Sequence, residues 1–188
     1  MPFDPDIHDL TGESAFWILG HNAAGEVIHT QAIRMLDIGA SHVGDYFRHN
    51  FLEFPPPGVN LDLKRCRYRA GPGAMRMRGR VAYHGEFWIG GNAGAYRGTG
   101  LSCVLSRYGF WHAIQTWDPD HILAFMVKAV AFKGLAERAG WMHTEPGALR
   151  WFIQGRDAPV EGFMAYMDRE DLHYLLDLPM SDLLEMAA

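Results

Sequence analysis

The chain has 188 residues, 48% of them hydrophobic and 21% charged, with a formal net charge of −5. That is enough for one α/β domain with a real core and cramped for two, and the acidic balance argues against general nucleic-acid binding, which wants a basic surface. Cys66 and Cys103 are too few for a disulfide framework, MPFDPDIHDL lacks the basic-then-apolar start of a secretory signal, and no apolar run approaches the ~20 residues of a membrane helix, so a cytoplasmic protein with free thiols and no membrane partner is expected.

Residues 1–13 are polar, carry two prolines and read as an N-terminal arm. Ala15 to Leu19 and Glu26 to Leu36 are apolar runs around the turn-rich His21 to Gly25, the pattern of a hairpin. Over residues 41–53, Val43, Phe47 and Phe51 recur at helical spacing, and Pro55-Pro56-Pro57-Gly58 ends that helix. Residues 59–74 read as irregular, with Gly71-Pro72-Gly73 as a loop. Residues 64–80 hold seven of the seventeen lysines and arginines and no acid. Arg76, Arg78 and Arg80 alternate with other residues, which places them on one face of a strand. Such a row fits a solvated sheet face, pairing with local acids, or an acidic ligand. Val81 to Ile89 is the next strand.

Gly90 to Gly100 holds five glycines in eleven residues and opens a helix. Leu101, Val104, Leu105, Tyr108, Trp111 and His112 share its apolar face. Trp117-Asp-Pro-Asp120 breaks this helix, His121 to Val127 reads as a buried strand, and Lys128 to Ala139 as a second helix ended by Gly140. Residues 148–153 and 160–168 read as strands around Gln154 to Pro159, and Glu170 to Leu176 as a closing helix. The alternation in the middle and the hairpins at the ends predict one domain over 1–188, with a mixed sheet flanked by helices.

The informative segment is the strand, glycine turn and helix from Ala82 to Ser102. A helix start leaves free N–H groups and a positive dipole end, glycines let a phosphate approach the backbone, and Arg97 adds a charge. A dinucleotide motif would need a third glycine where Cys103 stands, and a P-loop would need a lysine that is missing. A plain strand–turn–helix connection with glycines for tight packing fits the same residues.

Arg97-Gly98-Thr99-Gly100-Leu101-Ser102, with its flanking strand and helix and the later Ala139-Gly140-Trp141, resembles the pyrophosphate-binding signature of the GCN5-related N-acetyltransferase (GNAT) superfamily. The resemblance covers about residues 15–168. It implies a GNAT-like α/β (α+β) fold, with a mixed, mostly antiparallel twisted sheet. It also implies acetyl-CoA or another acyl-CoA as co-substrate, and acyl transfer to the amine of a small molecule. Arg97, Gly98, Thr99, Gly100, Leu101 and Ser102 would hold the pyrophosphate. Trp88, Ile89 and Gly90 would line the pantetheine arm and offer backbone N–H donors to the oxyanion. Departures are Ser102 in place of glycine or alanine, an inserted Gly90 to Gly94, and Ala136 where the family often has a tyrosine acid.

Within that frame Glu86 is the leading general base, and His84, two residues earlier, is a base or relay expected on the same strand side. Each also reads as an ordinary strand residue with a local partner. Cys103, in the first helical turn where the dipole lowers a thiol pKa, is a conceivable acyl carrier or a small buried residue. Asp118 and Asp120 read as a helix-end turn. No two of the ten histidines have the spacing of a helical metal pair, so no metal is expected. Two alternatives stand beside the enzyme: a non-catalytic CoA-binding or regulatory module, and an acyl-homoserine-lactone synthase-like enzyme with an acyl-carrier partner. The edge of the final strands could pair two copies into a homodimer.

Overall fold

A computed structural model describes residues 2–56, 58–90, 95–96 and 99–182. The first strands, β1 (Ala15–His21) and β2 (Val27–Leu36), form the expected hairpin. Helix α1 (Val43–Asn50) follows, capped by His42, whose Nδ1 accepts the Asp45 N–H at 3.0 Å. Val43 and Phe47 are fully buried, as the helical spacing predicts.

Residues 59–80 depart from the sequence reading. A two-residue strand, β3 (Arg67–Tyr68), caps the far edge of the sheet. Gly71-Pro72-Gly73 starts a helix, α2 (Pro72–Arg76), rather than a loop. Proline is favoured in a first helical turn because its missing N–H has no partner there anyway. Glu145 takes over the capping, accepting from the N–H groups of Gly73 and Ala74. Arg76 therefore ends a helix, and Arg76, Arg78 and Arg80 do not line a strand face.

Strand β4 (Val81–Ile89) has the expected limits, and helix α3 (Leu101–Trp117) begins after the glycine turn. The buried face of α3 is not the predicted one. Cys103, Ser106, Arg107, Gly109, Phe110, Ala113 and Trp117 are buried, whereas Tyr108 and Trp111 are about half exposed and stack at 5.9 Å. Four of these seven are small, and Gly109 lets the helix lie close to Gln31, so hydrophobic content marks the wrong side.

Strand β5 (His121–Val127) is as predicted. The following helix is split into α4 (Lys128–Ala131) and α5 (Leu135–Arg138) around Gly134, whose φ is 73°. The chain closes with β6 (His143–Trp151), which starts earlier than expected, β7 (Val160–Asp168) and α6 (Arg169–Asp177).

The strands form one seven-stranded sheet in the order β1-β2-β4-β5-β7-β6-β3. Among the described strands the β4–β5 pair is parallel and the other pairs are antiparallel, giving the mixed, mostly antiparallel α/β fold expected. One face packs Phe47, Phe54, Met77, Tyr83 and Leu123 beneath α1 and α2. The other packs Ile33, Phe110, Ile122, Trp141 and Leu172 beneath α3, α5 and α6. A fully buried side chain of this size contributes ~1.5–3 kcal/mol. The N-terminal arm joins the first core: Phe3 stacks on Tyr83 at 5.8 Å, and the buried Arg34 holds the Pro2 carbonyl at 2.7 Å. Among the described residues no helix is long and apolar enough to cross a membrane.

Candidate active site

The parallel strands β4 and β5 are bonded at one end only. Val81, Ala82 and Tyr83 face His121, Ile122 and Leu123. Beyond Tyr83, β4 stays with β2 while Ala124–Val127 of β5 stay with β7, and the two strands part. The cause is a bulge. The β2–β4 register slips between Thr30 and Ala32, and Glu86 adopts φ 52°, in the left-handed region that non-glycine residues rarely visit. Thr30 pins the distortion by donating its hydroxyl to the Glu86 carbonyl at 2.7 Å. A bulge bends its strand and increases local twist, which swings β4 away from β5.

The gap is a cleft of about 680 Å³, walled by Tyr83 to Trp88 of β4 and Ala124 to Val127 of β5. Leu135, Ala139, Trp141, Leu149 and Trp151 add to an apolar lining. Strand edges that face a gap carry backbone groups with no strand partner. The N–H of Gly90 is spent, since it donates to the Ile28 carbonyl at 2.7 Å on the β2 side. Alternation then turns the N–H of Ile89 to the opposite, β5-facing side. The same alternation turns the Trp88 N–H toward β2, so of the three backbone donors expected at 88–90 only Ile89 faces the gap.

Glu86 and His84 both line the cleft, but not from one strand face. The bulge breaks the two-residue alternation between them. His84 packs against Phe110 and Trp141 on the α3 side, whereas the Glu86 charge acts on the phenol of Tyr83, which packs on the opposite side. Burial pushes the Glu86 carboxyl above its usual range, toward the pH at which a carboxylate works as a base. Burial, then the neighbouring His29, hold the His84 imidazole down to about 3, so it is neutral. Trp88 is half exposed on the cleft wall, and its carbonyl accepts from His29 Nδ1 at 2.7 Å.

Of the pyrophosphate residues expected, Thr99, Gly100, Leu101 and Ser102 do not line the cleft. Arg97 and Gly98 lie outside the described residues. Thr99 is exposed, with its hydroxyl donating to the Tyr96 carbonyl at 2.8 Å and accepting the Leu101 N–H at 3.4 Å. Gly100 takes φ 72° at the start of α3 and is buried, and Leu101 and Ser102 are half-buried. The cleft meets α3 one turn later, at Ser106, whose hydroxyl donates to the Ser102 carbonyl at 2.8 Å.

Other expectations change. Burial pushes the Cys103 thiol up rather than down, opposite to the dipole argument. Ala136 is buried beside the cleft residues Leu135 and Ala139 and supplies no hydroxyl. Asp118 and Asp120 hold Arg169, at 3.3 and 2.9 Å, and Asp120 also accepts the Arg80 N–H.

Sequence reasoning passed over Gln31 and Gly109. Gln31 is fully buried, and its amide bridges His84 and the Leu105 carbonyl of α3. A methyl at Gly109 would collide with the Gln31 carboxamide. The available signals were a glutamine inside an apolar strand and a glycine inside a helix, where it costs ~1 kcal/mol against alanine.

No protein-family model matches the chain, and no curated protein matches it. Among solved structures it is similar to spermidine N-acetyltransferase from Vibrio cholerae in complex with CoA and spermine, at 13% identity over 90% of this chain and 72% of that one, with a TM-score of 0.48. It is similar to FeeM, an N-acyl amino acid synthase from uncultured soil microbes, at 10% identity over 86% and 76%, with a TM-score of 0.48. It is also similar to the CoA-dependent acyl-homoserine lactone synthase BjaI, at 13% identity over 98% and 80%, with a TM-score of 0.46.

Proposed function

We propose that the chain is a GNAT-like acyltransferase that moves an acyl group from acyl-CoA to the amine of a small molecule. The observation that carries this reading is the parting of parallel β4 and β5 into an apolar cleft with a carboxylate in its wall. A pantetheine arm is a thin chain with amide groups, and it fits between two strand edges as a third strand would. The co-substrate supplies an activated carbonyl and a thiolate leaving group. Glu86 takes the proton from the attacking amine, and the N–H of Ile89 donates to the carbonyl oxygen. The start of α3, with Thr99 to Ser102, carries the positive dipole end for a diphosphate.

The apolar lining from Leu149, Trp151 and Val160 favours acyl groups longer than acetyl as a second reading of the donor. Calorimetric titration with acetyl-CoA and octanoyl-CoA, followed by thiol release over a panel of amines, tests both. Binding with thiol release that vanishes in Glu86→Gln supports the enzyme. Binding with no release from any amine favours a CoA-binding module. No binding of either thioester sinks the assignment.

A further inference from the structure

The polar cluster beneath α3 determines where a proton sits. The carbonyl of Leu105 can only accept, so the Gln31 amide must turn its NH2 toward it, as the 2.8 Å contact requires. That leaves the Gln31 oxygen facing His84 Nε2 at 3.0 Å. An oxygen can only accept, so Nε2 must carry the hydrogen. A neutral imidazole protonated at Nε2 has a lone pair at Nδ1. The surroundings hold this arrangement rigidly. Gln31 and His84 are 0% and 3% exposed, and Phe110, Phe87 and Trp141 surround the imidazole. The glycine at 109 leaves room for the carboxamide against the helix.

We infer that Gln31 is a positioning residue that fixes His84 as the Nε2–H tautomer, so that Nδ1 presents an acceptor-only atom to the cleft and orients the incoming amine through its N–H. This deepens the acyltransferase reading and rests on it for the identity of the amine. Nδ1 is the ring nitrogen left over, because Nε2 is committed to Gln31 and His84 lines the cleft. Glu86 lines the same cleft from the same strand but its other face, so His84 would hold the amine while Glu86 removes its proton. The buried His29 repeats the logic with the opposite tautomer: Nδ1 faces the Trp88 carbonyl and must donate.

The test is nitrogen NMR of the imidazole rings in the intact protein, with His84 assigned by comparison with His84→Gln. The free protein should show His84 neutral with Nε2 protonated; the Nδ1–H tautomer would overturn the inference. Gln31→Leu, which removes the acceptor for Nε2–H, should populate both tautomers. Gly109→Ala, which keeps the Gln31 residue but pushes its carboxamide aside, should also mix them. An accepted amine should shift the Nδ1 signal. If an amine supports thiol release but leaves Nδ1 unmoved, the inference fails and the acyltransferase reading stands. If no acyl-CoA binds, that reading and the amine role fail together, while the tautomer signal still decides what Gln31 does. With turnover, Gln31→Leu should raise KM for the amine ~10-fold, one hydrogen bond's worth. It should leave KM for acyl-CoA unchanged; equal losses in both would indicate general collapse of the site.

Discussion

One pair of strands behaves as two regions. At Val81–Tyr83 and His121–Leu123, β4 and β5 are bonded, and Val81, Ala82, Ile122 and Leu123 are 0% exposed. A few residues on, the same strands carry a left-handed glutamate, a glycine and a half-exposed tryptophan, with a cleft between them. The closed end supplies the burial that lets the open end keep its strained backbone and its desolvated carboxylate. Strain of this kind costs ~1–3 kcal/mol and persists only where the surroundings hold it. The bulge at Glu86 is the boundary between the two.

Exchanging a residue on either side should separate chemistry from stability. Glu86→Gln at the open end has the largest expected effect, a loss of ~10²–10⁴ in kcat, the range for removing a general base. The denaturation midpoint should barely move, since the amide keeps the size of the carboxylate. Leu123→Ala at the closed end should cost ~2–5 kcal/mol, from lost burial plus the cavity left behind, read by urea denaturation. Turnover per folded molecule should survive it. If Leu123→Ala slowed folded enzyme as much as Glu86→Gln does, the boundary between the regions would be misplaced.

The closed end was legible in the sequence and the open end was not. Val81–Ile89 and His121–Val127 are apolar runs ended by turns, and both appear with the limits their residues suggest. Nothing in the run announces that Glu86 breaks alternation, because a bulge depends on the register with β2, and a single strand does not reveal its partner. The same blindness placed the arginines at 76, 78 and 80 on a strand. Their alternation is real, but Pro72 starts a helix that Glu145, far along the chain, caps. Helix α3 misled in the opposite direction. Its inner face mixes Phe110 and Trp117 with the small Cys103, Ser106, Gly109 and Ala113, because Gly109 lies against Gln31, and a pattern that scores size and hydrophobicity points outward to Tyr108 and Trp111. Glu86 and His84, which both line the cleft, stand out in the sequence because a carboxylate and an imidazole in an apolar strand are conspicuous; an uncharged amide such as Gln31 is not.

The smallest expected effect concerns protons rather than packing, and it tests whether the inner wall of the cleft is as dry as its geometry implies. His84 titrates near 3 in the folded protein, because burial and then His29 oppose its charge, whereas an unfolded histidine titrates near ~6.5. Above the unfolded value neither state carries the proton, and His84 does not affect stability. As the pH falls below it, the unfolded chain gains a proton that the folded protein refuses, so stability drops by at most ~1.4 kcal/mol per pH unit. The drop continues until the folded value is reached. His29, His8 and His121 are also held down by burial and add to the same acid slope, so the measurement must be a difference. Urea denaturation of the protein and of His84→Gln between pH 7 and pH 4.5 should give parallel stabilities at the upper end and a shallower fall for the variant at the lower. Identical slopes would mean that water and protons reach His84 in the folded state, and that the cleft wall is wet where the structure makes it dry.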